Sequence, residues 1–237
     1  MGLITINLSY YNQSRDVLLM HINAWKKIPK SIRNFFIFNI IDDCSKTPIN
    51  EVLNNFSFDD LKINFYRVLD NLYCNIAGVR NLGYELTKTP YMLILDMDTL
   101  MDKNMAIQLF KLANVNIHNM YVFRFGRITK DPKHIKNNTI HPAVCLIRTH
   151  DYRRIGGCEE DLVGNYGYTD PCFWRRSIGK VRIINLLDIK LQYLDEGEAD
   201  IERNSSHNLK IYQERIAKKN WSKSKIRFKW VKLDLGK

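Results

Sequence analysis

Residues 91–103 read YMLILDMDTLMDK. Residues 91–95 are apolar without a break, and Asp96, Met97 and Asp98 follow at once. An uninterrupted run of this length is the pattern of a strand buried on both faces, as in a parallel sheet, rather than the alternation of a half-exposed strand. Two carboxylates at the tip of such a strand repel each other, and bringing them together costs free energy unless a cation binds there. Hard oxygen donors favour Mg2+ or Mn2+, ions usually held through one or two carboxylates plus substrate phosphates. In extended chain, positions two apart project to the same side, which would put Asp96 and Asp98 together with Met97 opposite. Capping of the next helix does not require them, because Asp102, just before KNMAIQ, can take that place.

Working outward, the segments on either side keep the same rhythm. Residues 3–8, 35–41 and 63–68 read as strands. Residues 14–27 and 75–88 read as helices, the first with Val17, Leu18, Ile22 and Trp25 at helical spacing. Strand, helix, strand in this order predicts an α/β domain with a mostly parallel, Rossmann-like central sheet flanked by helices. Beyond the opening stretch, residues 103–113 form a helix and 120–125 a strand. The basic stretch TKDPKHIKNNT, 129–139, is long and polar enough to be a lid over a site. Residues 143–149 form a strand, and Thr149 caps a short helix ended by Gly156 and Gly157. Asp170 and Pro171 read as N-cap and first residue of another helix, and residues 181–187 as a last strand. The expected organisation is one domain over residues 1–200, with halves at 1–100 and 101–200, and a helical, basic C-terminal extension over 201–237. Within that extension residues 218–232 hold seven basic residues, two tryptophans and no acid. The segment is either a solvated helix or tail, or an attachment to an anionic lipid surface.

The chain of 237 residues is long enough to bury its own core. Its formal net charge of +11 favours an anionic partner such as a nucleotide or an anionic membrane surface. The basic residues follow no nucleic-acid-binding motif, so no nucleic acid is expected. Five cysteines without C-x-x-C or metal-ligand spacing read as free thiols. The opening MGLITINLSYYNQ lacks the basic region and cleavage site of a secretory leader, and Ile6 stands where myristoylation needs Ser or Thr. No apolar run reaches the length of a membrane span. The expectation is a soluble, cytoplasmic protein, with any membrane contact peripheral and on the inner surface.

Ligands of open α/β sheets bind beyond the carboxyl ends of the strands. Three strands end there in polar clusters: SYYNQ at 9–13, DDCS at 42–45 and DMD at 96–98. Read with VRNLG at 79–83, GGCEED at 156–161 and GYTDPCFWRR at 167–176, this order resembles family 2 glycosyltransferases of the GT-A fold. The likeness reaches about residue 180. There are departures. The family's Pro-Thr before Tyr-Asn is Ser9-Tyr10, its Ala before Arg is Val79, and its downstream acidic pair is Thr169-Asp170.

The resemblance implies transfer of a sugar, with inversion, from a nucleoside-diphosphate sugar (a UDP-sugar first) to a hydroxyl of a glycan or other acceptor, with Mn2+ or Mg2+ as cofactor. It implies Asp170 as the base that takes the acceptor proton. Asp98, helped by Asp96, would hold the ion, and His207 would complete its sphere. Ser9, Tyr10, Tyr11, Asn12, Asp42, Asp43, Arg80, Asp96 and Met97 would line the donor site. Glu160, Tyr168 and Trp174, and more distantly His141, would meet the acceptor. Each residue also has a plainer reading: a capping Asp170, an Asx turn at 42–43, a surface arginine, core aromatics. Two rivals stay open. LILDMDTL looks like the nucleophile strand of a haloacid-dehalogenase-type phosphatase, but it lacks the Gly of D-x-D-G-T and comes after three strands. A non-catalytic fold that only binds a sugar nucleotide or nucleic acid is the other.

Overall fold

The computed structural model describes residues 2–115, 121–128, 139–194, 201–222 and 225–235. The expected lid at 129–139 therefore lies outside the described residues except for Thr139.

The chain runs through β1 (Ile4–Tyr10), α1 (Arg15–Lys26), α2 (Lys30–Arg33), β2 (Phe36–Asp42), α3 (Ile49–Val52) and β3 (Ile63–Val68). It continues with α4 (Ile76–Leu86), β4 (Tyr91–Asp96), β5 (Thr99–Leu100), α5 (Lys103–Val115) and β6 (Tyr121–Ile128). Then come β7 (Thr139–Arg148), α6 (Thr149–Ile155), a 3-10 turn at Glu160–Leu162, α7 (Thr169–Ser177), β8 (Arg182–Tyr193), α8 (Ser206–Lys218) and β9 (Trp230–Leu233). Among the described residues the nine strands belong to one sheet, in the order β5-β8-β6-β7-β4-β1-β2-β3-β9.

The α/β class and the strands of the first half agree with the sequence expectation. The sheet itself is mixed. β3, β2, β1 and β4 are parallel neighbours, and β6 is parallel to β8. The pairs β4–β7, β6–β7, β5–β8 and β3–β9 are antiparallel. Helices continue to alternate with strands after α5, but β7 is the next described element after β6 and inserts antiparallel between β4 and β6, while β5 and β9 add antiparallel at the two ends of the sheet.

Strands β1, β2 and β4 are buried nearly throughout, as apolar runs without alternation require. Three asparagines interrupt this part of the sheet. Asn39 Nδ2 donates to Asn7 Oδ1 at 2.9 Å, Asn64 Nδ2 donates to Asn39 Oδ1 at 3.1 Å, and Asn7 Nδ2 donates to Thr87 Oγ1 at 3.0 Å. These residues pair directly in the β1–β2 and β2–β3 registers. A one-residue slip would leave buried amides unpaired, so the ladder helps set register.

The described part of the C-terminal stretch, 201–222 and 225–235, packs on the domain through α8, Phe228 and β9. β9 pairs antiparallel with β3 and forms the sheet's end. Phe228 is buried with Ile41, Tyr66, Val68, Val79 and Leu82. The two tryptophans of the basic segment pack on protein: Trp230 meets Tyr66 edge-on at 5.9 Å, and Arg176 lies 5.8 Å over the Trp221 ring. No described helix is long and apolar enough to cross a membrane.

Candidate active site

The chain leaves β1 toward one flank, through β2 and β3, and then places β4 on the other side of β1. This reversal is where open α/β sheets carry their ligand crevice. A cavity of about 360 Å³ opens there, walled by Ser9, Tyr10 and Tyr11 after β1, Asp43 after β2, and Asp96, Met97 and Asp98 after β4. Its far wall comes from His141 to Ala143 of β7 and from residues 166–170. The size suits a small-molecule ligand.

Arg80 organises this cavity. It sits in the middle of α4, only 6% exposed. One guanidinium nitrogen donates to Asp170 Oδ1 at 2.6 Å, and the other reaches both carboxylate oxygens of Asp96 at 3.2 Å. Burial works against its charge, yet Asp96 and Asp170 outweigh it, and the Arg80 pKa lies well above its ordinary value. A buried cation thus holds together a carboxylate from the strand tip and one from the first turn of α7.

The D-x-D segment lies in a turn and not in extended chain, since β4 ends at Asp96 and β5 starts at Thr99. Both carboxylates reach the cavity because the chain reverses between them, not through strand pleat. The turn is pinned by its backbone. His21 on α1 lies 3.0 Å from the Met97 carbonyl, and the Leu194 N–H donates to the Asp98 carbonyl at 2.6 Å. His21 is fully buried, and burial pulls its pKa down to about 4. Met97 lends the cavity its backbone while its side chain packs in the core. Asp102 caps α5, accepting from the Met105 N–H at 2.8 Å, as the sequence suggested.

Asp42 and Asp43 separate into two roles. Asp42 is fully buried, accepts from the Ser45 and Ile49 N–H groups at 2.8 and 3.1 Å, and pairs with Arg67. It builds the turn. Asp43 faces the cavity and accepts from Asn75 Nδ2 at 3.0 Å, with burial raising its pKa to about 6. Asn12 is also turn-building, with φ at 59°, its N–H on Ser45 Oγ and its Oδ1 accepting from the Lys46 N–H.

The chain belongs to glycosyl transferase family 2. The family model matches residues 10–180, from the end of β1 to the loop after α7. That span holds the cavity walls from Tyr10 to Asp170 and sets aside the phosphatase reading of DMD. A crystal structure of S. aureus TarS has the same fold, with a TM-score of 0.69 and 15% identity over 94% of this chain and 40% of that one. S. aureus TarS 1–349 in complex with UDP-GlcNAc gives 0.66 and 14% over 87% of this chain and 61% of that one. Its complex with UDP gives 0.62 and 14% over 81% and 60%. The chain therefore spans between two fifths and three fifths of these relatives, and at such identity the likeness speaks for fold. No curated protein matches the sequence.

Several residues differ in local position or role from the sequence reading. Asp170 is the second residue of α7, not its N-cap, which is Tyr168 with φ at 61°. Thr149 likewise starts α6 without capping it, donating to the Thr89 carbonyl at 2.7 Å, while Gly156 ends that helix with φ at 98° as expected. Glu160 is buried behind the cavity, accepting from Asn81 Nδ2 at 2.8 Å. Trp174 donates to the Pro142 carbonyl at 2.6 Å under the Arg124 guanidinium and does not line the cavity. His207 is exposed near the start of α8 and does not line the cavity. Tyr168 does line the cavity, backed by Tyr212 at 5.1 Å.

The sequence reading missed Tyr73, Asn75, Arg127, Tyr166, Tyr193 and Arg203, which complete the walls. The position of Asn75 just before α4 was the one available signal. The others sit in loops and late strands whose meeting point no local pattern encodes.

Proposed function

We propose that this chain transfers a sugar from a nucleoside-diphosphate sugar, a UDP-sugar, to a hydroxyl acceptor with inversion, in the presence of Mn2+ or Mg2+. The observation that carries this reading is the Arg80 bridge between Asp96 and Asp170 at the switch point of a family 2 fold. Asp43 and Asn75 offer a carboxylate and an amide to the nucleotide at one end of the cavity. Asp170, oriented by Arg80 and lining the same cavity as Tyr168, would take the acceptor proton.

The donor set suits a hard ion held partly by its substrate. No three His, Cys, Asp or Glu side chains converge as a ready-made metal site among the described residues. Asp96 is committed to Arg80, so Asp98 is the carboxylate that would hold the ion, with substrate phosphates supplying further oxygens. A divalent ion bound there supplies charge neutralisation to the departing diphosphate. Arg80 adds a fixed positive charge behind it.

Replacing Asp98 with Ala should abolish the Mn2+-dependent part of UDP binding in a calorimetric titration. Asp170→Asn should bind UDP as before and lose transfer by about a hundredfold or more, the usual contribution of a general base. Full transfer activity in Asp170→Asn would sink the assignment of the base. The neighbours' UDP complexes make UDP the first nucleotide to try.

A further inference from the structure

The carboxylate of Asp98 is held by a two-step hydrogen-bond relay that begins in β7. His141, 2% exposed, accepts the Ala143 and Val144 N–H groups on Nδ1 at 3.2 and 3.0 Å. A ring nitrogen that accepts carries no proton, so in the neutral ring the proton is on Nε2. Nε2 lies 3.1 Å from Thr99 Oγ1. The Thr99 hydroxyl accepts there and has one proton left, which it donates to Asp98 Oδ1 at 2.9 Å. Every link therefore has one polarity, running from the β7 backbone to the carboxylate.

The hydroxyl has no packing rationale of its own. Thr99 is fully buried, and Val would fill the same place in a strand without the cost of burying a polar group. His21 and Leu194 hold the backbone of the D-x-D turn, and the Thr99 hydroxyl acts on the Asp98 side chain itself. We propose that Thr99 and His141 are positioning residues for the divalent ion of the donor site, fixing Asp98 in the orientation that receives it. This rests on the donor-site reading given under Proposed function. Partners of a metal-ligating carboxylate typically change metal affinity ten- to a hundredfold when removed.

The test is UDP binding, followed by calorimetry across a series of Mn2+ concentrations, with thermal unfolding as the check on folding. Thr99→Val should need about ten to a hundred times more Mn2+ for half-maximal UDP binding. Its metal-free UDP affinity and melting temperature should stay near wild type. Thr99→Ser, which restores the hydroxyl, should return the Mn2+ requirement to wild type. His141→Asn keeps an acceptor for the β7 N–H groups but removes the donor to Thr99, and should shift the Mn2+ requirement in the same direction by less. Thr99→Val and His141→Asn with wild-type Mn2+ dependence would overturn the relay. So would equal losses with and without Mn2+, which mean a purely structural role. Asp98→Ala separates the two levels. If it keeps Mn2+-dependent binding, the donor-site reading falls and the relay with it. If it loses that binding while Thr99→Val keeps it, only the relay falls.

Discussion

Arg80 was a helix residue with two readings in the sequence, a site group that contacts phosphate or positions the carboxylates, or a surface cation. Burial decides between them, because a fully desolvated guanidinium needs carboxylate partners, and Asp96 and Asp170 supply them. His21 carries a comparable cost in a different form. Its imidazole is neutral when folded, with its pKa drawn from 6.5 to about 4. Above about pH 6.5 neither state is charged and this group makes no difference to stability. As pH falls from 6.5 toward 4 the unfolded chain takes up a proton that the folded chain refuses, so stability drops. His21→Gln, which keeps an N–H for the Met97 carbonyl, should remove that drop. By pH 4 the difference between the two chains should approach on the order of 3 kcal/mol in urea unfolding. Asp43, raised by burial to about 6, gives the opposite slope, and it cancels in this comparison.

At the scale of elements, α4 joins sheet to site. Its buried face includes Ala77, Val79, Leu82 and Gly83, and Arg80 projects from it to the cavity. A Cβ on Gly83 would lie 2.9 Å from Asn7 Cγ and 3.0 Å from Asn7 Cβ. Asn7 cannot retreat, because Thr87 and Asn39 hold its amide. Gly83→Ala should therefore destabilise the fold by about 1–3 kcal/mol, even though Ala is the better helix former by about 1 kcal/mol. A shift in the denaturant midpoint without a change in slope is the measurement. The elements of the first half were legible because their apolar runs and helical spacings are local. The extended reading of Asp96 and Asp98 failed because a strand's end depends on the element after it, and here a short β5 pulls the chain into a turn to pair with β8. Asp170 was placed two positions early, at the N-cap instead of the second residue of α7, for the same reason. Asp-Pro suits a cap, but Tyr168 in a left-handed conformation already starts α7.

At the scale of the molecule, the C-terminal residues carry more than their composition suggests. Glu159 is fully buried beside Arg176 and Arg215, accepts the Ser222 N–H at 3.0 Å, and depends on α8 and its successor for most of that shell. Arg215 and Arg227 both pair with Asp161. Removing residues 201–237 would leave a buried carboxylate short of partners, strip Phe228 from its cluster and unpair the edge of β3 from Phe65 to Val68. A chain ending at residue 200 should be insoluble or lack a cooperative thermal transition. A soluble, sharply melting 1–200 protein would mean that α8 and β9 are appendages.

By itself the sequence determined the α/β class and the family to which the chain belongs, and it pointed to the polar clusters at the strand tips, Asp96 and Asp98 among them, as the candidate site. These come from local patterns: apolar runs, turn residues and spacings within about a hundred residues. Only the tertiary structure decided that the sheet is mixed and that the basic terminus closes its edge. It alone divided Asp42 from Asp43, joined Asp96 to Asp170 through Arg80, and linked His141 through Thr99 to Asp98. The physical reason is common to all of these. Each is settled by burial or by a partner from a distant part of the chain, ninety positions away for Arg80 and Asp170 and farther still for β3 and β9, and such pairings leave no period in the sequence.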